Sequence, residues 1–514
     1  MIGLPLNLGA IALAQRRPWL VAVLAAYLLA ALCYVFITPL WQAPDEPAHY
    51  NYVRHLATRL SLPILQPGDY PHDYLEELKA AHFPPERPIA NIRYESHQPP
   101  LYYILAAVVL SPLATSAITV QVYGLRLLSV ALGLVLLLLT YRLGGVIWPT
   151  SPGKAVALAA VATFVPMHTA VSAAISNDIL AEVLVTATVL QATKLWRKAG
   201  SPCRDGVQKL GITAIIGLLI GLCLVTKMTA FIALPLALLA LLLGNLSLRQ
   251  REEALPRVGK RAGGLGSSLA ALCLPTLVLW APWLIRNMVT YGLGDPFGQI
   301  RHDAVVVGQL RTAEKLAQVG LASMLRESVK LTFKSFWGIF GWMGVPMHTQ
   351  VYLILGLATA LAAMGLVLRA WRWRRESSEQ RQRKLLLLLA AWGLLSLAEL
   401  TWYNLKFVQP QGRYLFIAMP VWAALLVEGL DSARWRGFAI APVLLAASVA
   451  LYLLGLATGD LHTLAAVLLL VAATTLALWS FVGRYRPKLA SVSALATLWL
   501  LDMAGALYYV NRYL

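Results

Sequence analysis

The run WLVAVLAAYLLAALCYVFITPL (residues 19–40) carries no charged side chain, and Pro44-Asp45-Glu46-Pro47-Ala48-His49 follows it at once. An apolar stretch of this length is enough for a helix that crosses a bilayer. It is too long for a signal-peptide core, and no small-x-small cleavage site follows, so it is read as a retained span. Two adjacent carboxylates at a membrane edge are costly unless solvated, paired or used. Pro47 suits the first turn of a helix, and Val53, Leu56 and Leu60 would share one face of a helix reaching about Leu60. Asp45 and Glu46 would then sit at its positive end, which favours the ionised form. Taken alone they fit a helix cap best, and they also fit a positioned general base.

The pattern of residues 19–40 recurs along all 514 residues, of which 59% are hydrophobic and only 13% charged. Soluble domains carry roughly twice that share of charge. The fold class expected is therefore an all-α polytopic membrane protein. Thirteen spans are expected, near 19–40, 126–148, 154–173, 179–195, 211–226, 229–246, 264–285, 351–368, 385–404, 414–430, 438–454, 461–482 and 489–510. A catalytic module over 1–430 would contain two long polar loops, 41–125 and 286–350, with further spans over 431–514.

The net charge of +19 argues for orientation rather than nucleic-acid binding. Six basic clusters lie in short loops: Arg16-Arg17, Lys194 to Lys209, Arg249 to Arg261, Arg369 to Lys384, Arg434 to Arg436 and Arg484 to Lys488. If the short apolar segment Leu101 to Ala114 does not cross, all six fall on one face, which then carries the whole excess of positive charge. That face is the cytoplasmic one of a plasma membrane, with the amino terminus inside, the carboxyl terminus outside and both long loops external. The basic loops suit contact with anionic membrane lipids. No phosphate loop or dinucleotide fingerprint is present, and the four cysteines suggest neither a disulfide framework nor a zinc site.

This topology gathers Asp45, Glu46, His49, His97, Arg126, Asp178, Arg286, Lys406, Arg413 and Tyr414 on the outer side. His97 precedes a Pro99-Pro100 helix start, where it is either functional or incidental. Arg126 would lie at the outer end of its span, Asp178 at a turn where it could cap a helix, and Lys406 where it could anchor the surface. Trp283 reads as interface belt, and the aromatic segment Phe333 to Gly344 as interfacial. Arg126, Arg413 and Arg286 are the candidates for holding an anionic headgroup. Asp45, Glu46 and His49 could hold one divalent ion or form a hydrogen-bonded cluster, and no cofactor is otherwise indicated.

The order of these motifs resembles the membrane glycosyltransferases of the C-type fold, among them the protein O-mannosyltransferases and the lipid A aminoarabinose transferases. The similarity runs through Pro-Asp-Glu-Pro-Ala-His, His97-Gln98-Pro99-Pro100-Leu101-Tyr102-Tyr103, Arg126, Trp283-Leu284-Ile285-Arg286-Asn287 and Gly412-Arg413-Tyr414-Leu415-Phe416. The resemblance implies a polyprenyl-phosphate-linked sugar donor, an acceptor hydroxyl on a lipid, glycan or protein, inversion at the sugar, and Asp45 as general base with Glu46 beside it. It also implies Arg126 in the site. Where the mannosyltransferases show Gly-Lys after Pro-Pro-Leu, this chain has Tyr102-Tyr103, so the cation they would supply there is missing. A transporter or lipid flippase is the alternative, but the buried acids it would use are few: Glu182, Glu399 and Asp502.

Overall fold

The computed structural model describes residues 17–196, 202–252, 265–373, 380–458, 470, 473–474, 477–478 and 480–514. The helices in chain order are α1 (Arg17–Ile37), α2 (Glu46–Arg59), α3 (His72–Ala80), α4 (Leu101–Leu110), α5 (Ile118–Ile147), α6 (Pro152–Thr163), α7 (Pro166–Ser172), α8 (Asp178–Ala192) and α9 (Pro202–Leu224). They continue with α10 (Ala233–Glu252), α11 (Leu265–Tyr291), α12 (Gln299–Val305), α13 (Thr312–Trp337), α14 (Thr349–Trp373), α15 (Gln380–Asn404), α16 (Met419–Thr458) and α17 (Pro487–Ala504). One two-stranded hairpin, β1 (Ile339–Phe340) with β2 (Val345–Pro346), is the only sheet among the described residues.

Eight of these helical stretches are long and apolar enough to cross a membrane, or nine if the bent pair α6–α7 is counted as one span. The expected spans near 211–226, 229–246 and 438–454 fall on apolar stretches of α9, α10 and α16, and the one at 461–482 lies largely outside the described residues. The expected loop at Arg434 to Arg436 is not a break: α16 is a single helix of 40 residues. No proline interrupts it between Pro420 and Pro442.

α4 has 10 residues, about 15 Å of rise, which is half a bilayer core. Tyr102, Tyr103, Ala106 and Leu110 are buried on one side, while Ile104, Leu105 and Val108 are exposed on the other. The 41–117 loop thus carries three short helices, and the loop after α11 carries α12 and α13. α13 folds back at Gly320 (φ 73°), so that Lys315 reaches Glu327 at 3.0 Å.

By internal contact the chain divides into two compact units. One comprises Met1–Pro346, Gln380–Val421 and Asp502–Leu514, and the other Met347–Glu379 with Trp422–Leu501. In the second unit Gly365 and Gly429 let α14 and α16 touch backbone to backbone, and Arg369 pairs with Glu428 at 3.3 Å. The site lies wholly in the first.

Two sequence-based expectations change here. Leu60 does not join the Val53–Leu56 face: it ends α2 in a left-handed conformation (φ 53°) and is 90% exposed. The aromatic segment near Trp337 is internal rather than interfacial. Gly341 (φ 60°) turns the hairpin so that Phe340 stacks between Tyr34 and Tyr509, and Trp337 is buried.

α9 and α11 approach closely along Gly217 and Gly221, a small-residue spacing that brings helices together in lipid. A Cβ at Gly217 would stand 2.2 Å from the Leu272 carbonyl oxygen. Gly217→Val is expected to destabilise the bundle by roughly 1–3 kcal/mol, read as a lower melting temperature in detergent.

Candidate active site

Asp45 stands at the N-cap position of α2, yet its side chain makes no cap hydrogen bond. Its φ is 67°, a conformation that costs energy for a residue with a Cβ and is tolerated best by Asn, Asp and Gly. The turn aims adjacent carboxylates in opposite directions. Asp45 Oδ1 accepts from the Tyr94 hydroxyl and Oδ2 from Arg413 Nη2, both at 2.7 Å. Glu46 turns inward and is fully buried.

Glu46 meets Arg126, also fully buried, in a two-point pair: Nε to Oε1 at 2.8 Å and Nη2 to Oε2 at 2.7 Å. The remaining Arg126 donors go to the carbonyls of Val35, Thr38 and Pro39 at the end of α1. The backbone N–H groups of Trp41 and Ile175 complete the Glu46 carboxylate. Arg126 was expected near the outer end of its span and facing an anionic headgroup. Because α5 begins at Ile118, it lies more than two turns in, and all five of its N–H donors are engaged.

A third ion pair stands near that of Asp45 and Arg413. Lys227, between α9 and the 3₁₀ turn at Met228–Ile232, reaches Asp178 Oδ1 at 2.6 Å, and Ser176 Oγ donates to Oδ2 at 2.7 Å. Asn177 donates to Gln98 and to the Thr226 carbonyl, and Leu101 N–H to the Val225 carbonyl. These bonds dock the start of α4 against the Lys227 turn. Arg413 begins a 3₁₀ stretch, Gly412–Ala418, that packs against α13; a Cβ at Gly412 would strike the Thr332 carbonyl oxygen at 2.4 Å. The guanidinium also receives support from Gln411 and lies over the Tyr414 ring. A cavity beside it is lined by Gln42, Ala43, Pro44, Ser176 and Arg413.

The charges bias one another. Burial alone would raise the Asp45 pKa, but the Arg413 guanidinium, His49 and the Tyr94 hydrogen bond hold it below its ordinary value. His49, hydrogen-bonded to the Tyr103 hydroxyl at 2.8 Å, is pushed down to about 4 by burial and by Lys227, so it is neutral at pH 7. Burial and the negative charge of Asp45 raise Glu95 to about 7, against the pull of Lys227.

Other expected site residues are held elsewhere. His97 hydrogen-bonds the Tyr94 carbonyl, and its ring centroid lies 4.4 Å from that of His302. Arg286 sits against Trp283 and Tyr291 and binds the Pro63 carbonyl, so Trp283 is a buried cation–π partner rather than a belt residue. Lys406 pairs with Asp303. Among the described residues no group of three His, Cys, Asp or Glu is placed to hold a metal ion, and Glu46 is turned away from Asp45 and His49 onto Arg126. Lys227, Glu95 and Tyr94 are the residues that sequence reasoning missed. A lysine in the tight turn between two expected spans, on the side that charge parity assigns to Asp45, was the available signal for the first.

The family model described as predicted membrane protein (DUF2142) matches residues 69–425. The chain belongs to this family. With its apolar helices, this DUF2142 member is a multi-pass membrane protein. No curated protein matches its sequence. Its structure is similar to that of ArnT from Cupriavidus metallidurans bound to undecaprenyl phosphate, at 13% identity and a TM-score of 0.51 over 96% of this chain and 77% of that one. Apo ArnT from the same organism aligns at 14% identity and TM-score 0.49 over 97% and 78% of the two chains. An Archaeoglobus fulgidus oligosaccharyltransferase tethered with an acceptor peptide aligns at 14% and 0.44 over 95% and 55%. The first of these likenesses shows the fold, that of the C-type membrane glycosyltransferases.

Two measurements test the site's construction. Arg126→Leu leaves a buried, unpaired carboxylate and is expected to cost about 3–5 kcal/mol of stability, with Glu46→Gln/Arg126→Leu costing less than the sum of the single changes. Because the folded protein holds the Glu95 proton more tightly than the unfolded chain, this group's contribution is fully present below the ordinary value of 4.5 and is lost as pH rises towards about 7. Glu95→Gln should flatten that part of the pH dependence of the melting temperature.

Proposed function

We propose that this protein is a glycosyltransferase that moves a sugar from a polyprenyl-phosphate-linked donor to an acceptor hydroxyl, with inversion and with Asp45 as the general base. The observation that carries the reading is the partly exposed Asp45 carboxylate set against Arg413, with the Lys227–Asp178 pair alongside. A base for the acceptor and cations for a leaving phosphate are the two things such a transfer requires. The fold agrees, because the ArnT structure it resembles is bound to undecaprenyl phosphate.

In this reading Arg413 and Lys227 face the donor phosphate, and Arg126 is the fixed support beneath Asp45. Lys227 supplies the cation that Tyr102-Tyr103 do not. His49, neutral and held by Tyr103, lines the acceptor side with Tyr414. The charge parity of the loops supports a site on the outer face of a bacterial plasma membrane. Glu182 and Asp502, on which a transporter would depend, are buried and hydrogen-bonded to His168 and Thr169.

The acceptor oxygen bonds to the anomeric carbon as the bond from that carbon to the phosphate oxygen breaks. The electron pair stays on the phosphate, and the proton goes to Asp45. Its lowered pKa suits late proton transfer, when the attacking oxygen has become acidic. Asp45→Asn should fold, still bind donor lipid and lose about 10²–10⁴-fold in turnover of a polyprenyl-phosphate sugar. Wild-type turnover in that variant would reduce the Asp45 turn to a structural feature. Arg413→Ala should weaken donor affinity, and unchanged affinity would remove Arg413 from the site.

A further inference from the structure

Asp45 as it stands is a weakened proton acceptor: the Tyr94 hydroxyl on one carboxylate oxygen and the Arg413 guanidinium on the other stabilise its charged form. The two partners differ in kind. Tyr94 is a neutral, buried hydroxyl next to Glu95, fixed by the 3₁₀ turn Tyr94–His97. Arg413 borders the cavity that Gln42, Ala43, Pro44 and Ser176 also line. Its Nη2 holds Asp45 and its Nε holds Gln411. A planar guanidinium binds carboxylate and phosphate through the same fork. An anion entering that cavity brings a second negative charge to the cation that holds Asp45, and the two anions compete for its charge.

We propose that Arg413 exchanges partners, holding Asp45 in the resting protein and the phosphate of the lipid donor once it is bound, so that donor binding itself uncovers the Asp45 oxygen that takes the acceptor's proton. This rests on the function proposed above. Lys227 does not border that cavity, so it keeps its ion pair with Asp178. It remains a standing counter-charge while Arg413 moves. The chemistry then has an order. With no donor present, the base is covered. With the phosphate on Arg413, Oδ2 of Asp45 is available, and the leaving phosphate departs beside the cation that already holds it.

The exchange has a signature that a fixed phosphate site would not give. If Asp45 competes with the donor for Arg413, removing the Asp45 charge strengthens phosphate binding. Undecaprenyl phosphate is titrated into the detergent-solubilised full-length protein, with melting curves recorded in parallel. Asp45→Asn is expected to bind about tenfold more tightly than wild type, the loss of one charge-assisted contact being worth about that factor. Asp45→Ala, which tests the same point if the Asn variant is unfolded, should tighten binding too. Arg413→Ala should weaken binding, and Asp45→Asn/Arg413→Ala should be no tighter than Arg413→Ala alone. Binding unchanged or weakened in both Asp45 variants, with Arg413→Ala still impaired, would overturn the exchange and leave the phosphate reading standing. Absence of binding in wild type and every variant would overturn both.

Discussion

The Glu46–Arg126 pair is the constraint on which the rest of the site depends. Two charges buried this deeply destabilise a protein unless each is paired and fully hydrogen-bonded. Here both conditions hold. The guanidinium spends its five donors on one carboxylate and three carbonyls, and the carboxylate takes two backbone N–H groups besides. The result ties the end of α1, the start of α2, the interior of α5 and the approach to α8 at one point. Asp45 inherits its position from this knot, since it is joined by a single peptide to the residue at its centre.

Around that fixed point the chemistry is arranged as alternating charge. Asp45 faces Arg413 and Asp178 faces Lys227, with Glu95 and a neutral His49 adjacent. Each residue comes from a different part of the chain: a loop after the first span, a helix start, a tight turn, and a 3₁₀ stretch opening a late helix. Such a set can be assembled only by the whole bundle, which is why the small-residue contacts between α9 and α11 matter to a site they do not touch.

Much of this was legible before any coordinates. Hydropathy placed the apolar helices, and Leu101 to Ala114, which the charge parity of the loops kept from crossing, holds a helix of only 10 residues. The Pro-Asp-Glu-Pro-Ala-His stretch was singled out and Asp45 does stand at the N-cap position, but nothing in a sequence reveals that it adopts φ 67° and turns its side chain away from the helix. Arg126 looked like a surface cation because hydropathy cannot see that its helix starts two turns earlier. Lys227 was passed over because a lone lysine between two apolar runs reads as a turn. Its partner Asp178 is 49 positions away, and no periodicity links them. The long helix α16 ran through an expected loop for the opposite reason: a basic cluster marks a membrane side, but it does not break a helix.

The knot at Arg126 also decides where this protein can bend. The last turn of α1 and the two residues after it give three carbonyls, those of Val35, Thr38 and Pro39, to a side chain rooted just over two turns into α5. Those two helices are thereby riveted at the level of the site, and neither can tilt without tearing a buried charge from its counter-ion. On the proposed function, room for a long lipid tail would have to come from elements outside the rivet, such as the short α4 or the folded-back α13, so that admitting the donor and keeping the frame in place would fall to separate parts of one chain.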